Sequence, residues 1–388
     1  MLRETRLGRL PPALFAAEIL VEAGFPVLAF EYGGKGRVGK IPGKIPRLRF
    51  YPRAASILPP RLRSPFVWLA TFLYLTAKFL WRGRPALMVT NGLSEQVLAL
   101  CLHRIYGVPY VCHLHEIFEE NEVSAFNRLL FRAERSVIGS AAFAMCPEEN
   151  RAEIFRSRYG GSTPIHFVPN CPRKVLPLDV FPVREKLGLS QEATLVLYMG
   201  GIGRNIPLCD LFSAMADFPH VHALLAGWGD SDWLASLKDF ASDCGVVDRV
   251  HFLGPVENRF AYFRAADIGF CLYRPSELRT RNAATASNKL FESMATGKPV
   301  MVRDTPDFQR IVDENECGVV CDVSAEGIRS ALSALSHATR RQEMGANGRR
   351  AFLSRYHYEN YFLPLLPAFR SAARFGLEVP ADTSMDLT

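Results

Sequence analysis

Along most of the chain, short apolar runs rich in Val, Ile and Phe alternate with longer stretches whose apolar residues recur every three to four positions. That alternation predicts βαβ units and a mostly parallel sheet. In the first half it places strands at 26–30, 86–90, 110–115, 142–145 and 165–168, and helices at 12–23, 66–81, 94–106, 125–138 and 147–158. A Pro-rich stretch from Pro169 to Pro182 breaks the pattern and reads as an interdomain linker. Strands then resume at 195–199, 222–226, 250–253, 268–273, 299–302 and 318–321. The expected fold class is α/β, with two Rossmann-type doubly wound domains at 1–175 and 176–365 and a C-terminal extension at 366–388 whose tail is expected to be disordered. Ligands of such sheets bind at the carboxyl ends of the strands, here where the two domains are expected to face each other across a cleft. The chain opens in a helix-like segment, so the usual first strand and its glycine loop are expected to be missing.

Composition agrees with two packed domains. The 388 residues are 48% apolar and 22% charged, with 28 Gly and 26 Pro dispersed along the chain, which excludes disorder and low-complexity architecture. Nine cysteines form no C-x-x-C pair and mostly sit in apolar runs, so reduced buried thiols are expected, with no disulfide and no structural zinc. Glu18 and Glu22 interrupt the N-terminal apolar stretch, against a secretory signal.

Charge changes the picture more. The net charge of +7 is uneven: residues 1–110 hold 16 Lys+Arg against 5 Glu, or +11, and the remainder holds 30 against 34, or −4. Between Glu31 and Glu95 there is no carboxylate, while Lys35, Arg37, Lys40, Lys44, Arg47, Arg49, Arg53, Arg61, Arg63, Lys78, Arg82 and Arg84 all fall there. Such a surface attracts polyanions. Within it, Pro65 to Trp81 is almost wholly apolar. As a helix it would span about 25 Å, short of the roughly 30 Å hydrocarbon core of a bilayer. A buried helix of the first domain and an interfacial helix among anionic headgroups both fit. No nucleic-acid motif accompanies the charge, so an anionic membrane contacted through residues 35–84 is the expected partner and nucleic acid is not.

The densest chemical signal is the stretch from Thr285 to Val300. Ser287 is placed to cap a helix from Asn288 to Thr296, Gly297 to end it, and Pro299 to open a strand. Free backbone N–H groups at the helix start, with Lys289, suit a phosphate. Glu292, one turn on, can accept hydrogen bonds from a ribose diol. Asp230-Ser231-Asp232 has the spacing of a metal–nucleotide motif but follows a Gly-Trp-Gly turn, so it is read as a helix-capping loop and no metal is expected.

The segment Asn288 to Val302 resembles the K-L-F-E-x-M-A-x-G-x-P-V helix of family 4 glycosyltransferases, which are retaining sugar-nucleotide enzymes of the GT-B fold. Leu195 to Asn205, His222 to Gly229, Val250 to Gly254 and Ala265 to Tyr273 are similar to that family's successive strands, and Pro109 to Glu116 and Val168 to Pro172 to parts of its N-terminal domain. The likeness spans about Arg84 to Tyr356.

The resemblance implies that Glu292 binds the nucleotide ribose and that Lys289 and the helix start at Ser287 and Asn288 lie near the diphosphate. Arg204, after the loop holding Gly201 and Gly203, would stabilise the departing diphosphate, and His115 would touch the transferred sugar, with His113 and Glu116 beside it. Where many members carry a second glutamate, eight positions before the ribose-binding one, this chain has Ala284. Either Glu277 and Arg279 to Asn282 then take over sugar recognition, or the site resembles the subset of the family that uses S-x-K-x-x-E. The expected protein is a metal-independent retaining glycosyltransferase, cytoplasmic and peripheral at the inner membrane face. It would take a nucleotide-diphosphate sugar, a UDP-sugar foremost, and use a lipid-linked or polysaccharide acceptor without a cofactor. The alternatives are a sugar-nucleotide epimerase and a non-catalytic nucleotide-sugar or glycan-binding protein of the same fold.

Overall fold

The computed structural model describes residues 2–3, 10–32, 45–120, 125–177 and 179–377. The chain divides into two compact units, one running to Pro169 and rejoined by the chain from Glu359, the other comprising Asn170–Tyr358.

In the first unit the strands are β1 (Leu2–Arg3), β2 (Ala29–Tyr32), β3 (Arg47–Phe50), β4 (Met88–Thr90), β5 (Tyr110–His113), β6 (Phe143–Cys146) and β7 (Ile165–Phe167). They form one parallel sheet in the order β3-β2-β1-β4-β5-β6-β7. β5 and β6 are buried along their length, as strands covered by helices on both faces must be.

The expected loss of the first strand is corrected: β1 lies at the sheet centre, Leu2 pairing with Phe30 and with Thr90. Two residues joined by backbone hydrogen bonds need no Val/Ile run, which is why it left no pattern. The residues that would form its glycine loop, 4–9, lie outside the described residues, as do Lys35, Arg37, Lys40 and Lys44. β3 was equally illegible, being a four-residue edge strand with Arg at alternate positions, and Arg49 pairs with Glu31 at 3.2 Å.

The second unit holds β8 (Thr194–Ile202), β9 (Val221–Gly229), β10 (Val250–Gly254), β11 (Ile268–Cys271), β12 (Val300–Arg303) and β13 (Gly318–Cys321), parallel in the order β10-β9-β8-β11-β12-β13. This is the doubly wound order, with its switch point between β8 and β11. Its core packs Val196, Phe212, Leu225, Phe270, Met301 and Leu332 on one side of the sheet and Leu195, Leu197, Leu224 and Phe263 on the other.

Both domain boundaries shift from the expected 175 and 365. The Pro-rich stretch is not a free linker. Asn170 and Cys171 are buried in the second unit, and Phe181 stacks on Tyr262 with ring centroids 4.3 Å apart. At the other end, residues 359–377 belong to the first unit rather than to the second domain or a detached extension. The helix Leu366–Leu377 sets Phe369 edge-on to Phe143, centroids 5.0 Å apart. Residues 378–388 lie outside the described residues.

The apolar helix starts earlier than predicted and runs Pro60–Arg82. It buries Val67, Thr71 and Leu75 and leaves its opposite face exposed, so it is not a fully buried core helix. Among the described residues, no helix is long and apolar enough to cross a membrane.

Candidate active site

In the second unit the carboxyl ends of β8 and β11 and the helix between β11 and β12 converge at the switch point. β8 and β9 run unusually far, to Ile202 and Gly229, because glycines let their backbones close together. Gly200 and Gly227 pair in register with φ near +154° and +149°, and a Cβ on Gly227 would lie 1.7 Å from the Gly200 carbonyl oxygen. On its other side Gly200 lies beside Lys289, a Cβ there falling 3.5 Å from Lys289 Nζ.

The helix spans Asn288–Thr296, as predicted, and stops at Gly297 in the left-handed conformation. Its start differs from expectation. Ser287 occupies the N-cap position but makes no side-chain cap. Its hydroxyl instead shares hydrogen bonds with Tyr273 Oη at 2.8 Å and Cys271 Sγ at 3.0 Å. The cap is displaced because both partners project from the end of β11 directly beneath it.

Lys289 is buried on that first turn. Its ammonium lies over the rings of Tyr198, at 5.0 Å, and Tyr273, at 4.7 Å, so two aromatic faces hold the charge at the β8 loop. Burial pushes the Tyr198 phenol up to about 12, offset in part by Lys289, and raises Tyr273 and the Cys271 thiol also. All three therefore stay neutral near pH 7. Tyr198 donates to the Gly201 carbonyl at 2.5 Å, fixing the turn that follows β8.

Glu292 is 2% exposed and its Oε2 accepts from Arg259 Nη2 at 2.8 Å. Arg259 opens the helix Arg259–Ala265, whose cap is Asn258. Sequence reasoning missed it, since nothing local marks an arginine at a helix start as the partner of an acid 33 residues on. Asn170 was missed as well. It donates from its side-chain amide to the Ala286 carbonyl at 2.7 Å and from its backbone to Thr285 at 3.0 Å, bracing the turn before Ser287.

The charges of this cluster are thus Lys289, Arg259 and Glu292, an excess of one positive among neutral phenols. Such a site favours an anion, and its buried carboxylate still offers acceptor capacity for hydroxyls. Asn288, half-buried, begins the helix, and Gly203 lies in the β8 turn tied to β11 through the Arg274 N–H to Asn205 carbonyl bond of 2.8 Å.

Arg204 is not gathered into the cluster. It is exposed, its guanidinium stacked 4.4 Å above the Trp233 ring. Ala284 is buried in a short 3-10 turn. Glu277 is engaged locally, in a capping box with Thr280 and an ion pair with Arg279. Asp230 caps the helix Ser231–Asp243 through the N–H groups of Asp232 and Trp233, both at 3.1 Å, as the capping-loop reading expected.

In the first unit the strand ends at His113, not His115. Leu114 still donates to Met145 at 2.7 Å, but the His115 N–H turns back to the His113 carbonyl at 3.1 Å. That turn brings the two imidazoles together, tilted by 39° with centroids 3.6 Å apart. His115 Nε2 lies 3.2 Å from Asn91 Oδ1, and Arg151 donates to the His115 carbonyl at 2.6 Å. Both rings are buried, while Glu116 is exposed.

The fold has many counterparts. Sucrose-phosphate synthase from Thermosynechococcus elongatus superposes with a TM-score of 0.76 at 18% identity, over 95% of this chain and 98% of that one. HepE from Anabaena, solved with UDP and glucose, gives 0.71 at 18% identity, over 95% and 99%. Two parallel doubly wound units with these counterparts define an α/β protein of the GT-B fold.

The family description "Glycosyl transferases group 1" matches residues 193–337, and "Glycosyl transferase 4-like domain" matches residues 14–171. The chain belongs to the group 1, family 4 glycosyltransferases. Among curated proteins, lipopolysaccharide core biosynthesis glycosyltransferase LpsE of Rhizobium meliloti is 28% identical over 188 residues, 47% of this chain and 52% of that protein. A phosphatidyl-myo-inositol mannosyltransferase of Mycolicibacterium smegmatis is 29% identical over 153 residues, 37% of this chain and 36% of that protein. The chain thus spans about half the length of the first relative and little over a third of the second.

Proposed function

We propose that the protein transfers a sugar from a nucleotide-diphosphate donor, a UDP-sugar foremost, to a lipid-linked or polysaccharide acceptor with retention of anomeric configuration. The single observation that carries this reading is the cluster at the switch point of the second unit, where Lys289, Arg259 and Glu292 surround a glycine-lined strand end and an uncapped helix start. The helix start and Lys289 hold the diphosphate, whose charge grows as the glycosidic bond breaks, and Glu292 accepts from the ribose hydroxyls. Arg204 swings from Trp233 to the leaving group, so that protein cations do the neutralising and no metal or cofactor is required. His115, held in orientation by Asn91 and Arg151, meets the hydroxyls of the transferred sugar.

The relatives, a lipopolysaccharide core biosynthesis glycosyltransferase and a phosphatidyl-myo-inositol mannosyltransferase, support a lipid-linked or polysaccharide acceptor, and HepE, solved with UDP and glucose, supports the donor class. The +11 charge of the first 110 residues supports work at an anionic membrane, on the cytoplasmic side where nucleotide sugars are available.

Thermal-shift titration with a panel of nucleotide sugars tests the reading. A UDP-sugar should raise the melting temperature, as any ligand of the folded state does, and Glu292→Ala should abolish the rise. A full response in that variant overturns the ribose assignment. A response to nucleotide sugar without transfer to any lipid or glycan extract would leave a binding protein instead.

A further inference from the structure

The helix Pro60–Arg82 has two unlike faces. Val67, Thr71 and Leu75, at steps of four, are buried against the first unit. On the other side Leu62, Leu69, Leu73 and Leu80 are between 52% and 73% exposed. Their spacing of seven, four and seven puts all four within about 40° of one another on an α-helix, a continuous apolar stripe rather than scattered leucines. Ile57, in the turn just before the helix, and Trp81, at its end and about 100° round from Leu80, are also exposed, at 83% and 77%. Contiguous exposed apolar surface of this kind marks an interaction site.

Positive charge stands at both ends of the helix. Arg61 stands at the helix start. At the other end Lys78 lies 5.5 Å from the Trp81 ring centroid and 5.5 Å from that of Tyr74, and Arg82 lies 5.2 Å from that of Trp81. From Tyr32 to Ser94 the sequence holds no carboxylate at all. A protein partner for a leucine stripe on so basic a segment would have to be both apolar and strongly acidic. A bilayer with anionic headgroups offers that combination as a plane, with hydrocarbon beneath negative charge.

We propose that this helix lies in the plane of an anionic bilayer, with Leu62, Leu69, Leu73 and Leu80 sunk below the headgroups, Trp81 at the interface, and Arg61 and Arg82, at the two ends of the helix, reaching the phosphates. The proposal rests on the membrane-peripheral part of the reading above and not on its chemistry. It adds a hydrophobic grip to long-range attraction, and the two respond differently to salt. Charge attraction weakens as ions screen it, whereas buried leucines hold. Trp81 then behaves as an interfacial anchor, its ring among headgroups and two cations beside it.

The experiment is vesicle flotation of the full chain, with vesicles of phosphatidylcholine alone or with one-third phosphatidylglycerol, at about 0.15 M and about 1 M salt. The wild type should float with the anionic vesicles, and part of the binding should survive high salt. Leu69→Ser/Leu73→Ser/Leu80→Ser, all at exposed positions, should weaken binding at least about ten-fold and remove the salt-resistant part. Tryptophan emission should shift to the blue on vesicle addition, and Trp81→Phe should remove most of that shift. Unchanged binding by the triple variant, equal binding to uncharged vesicles, or self-association through the stripe without vesicle binding would each overturn the proposal. The UDP-sugar thermal shift, measured on the same samples, separates the two ideas. A triple variant that keeps the nucleotide response while losing vesicles supports docking, and a wild type that floats without any nucleotide response overturns the transferase reading alone.

Discussion

At the carboxyl end of β5 the first unit presents two adjacent imidazoles, His115 fastened by its ring to Asn91 and by its carbonyl to Arg151, whereas at the ends of β8 and β11 the second unit presents an ammonium, a guanidinium and a carboxylate among neutral phenols. The same sheet architecture thus ends in two chemistries. Fixed charge in low-dielectric surroundings suits a diphosphate, which brings its own charge. Oriented imidazoles suit uncharged hydroxyls, where direction counts more than field. The surfaces differ in the same sense, since residues 1–169 and 359–388 carry a net +7 and residues 170–358 are neutral overall. One unit is therefore fitted to carry charge at its site, the other to carry it on its outside.

The largest expected effect is at Gly227. An alanine there would need φ near +149° and would drive its Cβ into the Gly200 carbonyl, 1.7 Å away. Gly227→Ala should cost about 3 kcal/mol or more, seen as a lowered melting temperature, and should remove the nucleotide response because the β8 turn loses its register. A variant that melts and binds like wild type would show that the close pairing of these strands is not what shapes the charged end.

Of intermediate size is a contrast between the two strand ends. Arg259→Leu leaves Glu292 buried without its ion pair and should weaken UDP-sugar binding about ten-fold, with Arg259→Lys restoring part of it. His115→Ala should leave UDP-sugar affinity within about two-fold while lowering turnover by roughly 10². Equal loss of nucleotide affinity in both would break the division between the units.

The smallest effect tests the far side of the second sheet. His222 Nδ1 and His251 Nε2 lie 3.1 Å apart on β9 and β10. Burial holds both imidazoles below their usual range, and for His222 the neighbouring His251 and Arg249 add to it. The folded state therefore favours the neutral rings. Their contribution is complete above the unfolded value of 6.5 and is lost as pH falls through it toward the lower folded values. Melting scans should show a drop of a few degrees between about pH 7.5 and 5.5, shallower in His222→Asn. A flat profile over that range would remove the pair from the account.

How much of this was legible in the sequence depended on the reach of each interaction. The helix Asn288–Thr296 was placed to the residue, because its stop at Gly297 and the Pro299 beyond it are local events. The runs of β8, β11 and β12 were legible because strands buried on both faces must be apolar throughout. β1 and β3 were not, since two residues at the sheet centre and an edge strand of alternating arginines carry no such run. Ser287 was correctly placed and wrongly employed, as its hydroxyl serves Tyr273 and Cys271 rather than the helix. The ion partner of Glu292 and the brace from Asn170 were invisible for the same reason, lying 33 and 116 residues away.

The sequence by itself determined the doubly wound alternation, the family, the helix Asn288–Thr296 that carries Lys289 and Glu292, and the one-sided charge, because each is written in residues that are neighbours along the chain. Only the tertiary structure decided which side of Pro60–Arg82 stays bare, that Arg259 holds Glu292, that Arg204 rests on Trp233, and that the chain returns to the first unit after Tyr358. Periodicity marks a helix as apolar without saying which face its neighbours will cover. An ion pair between distant residues exists only once the sheet has brought their elements side by side.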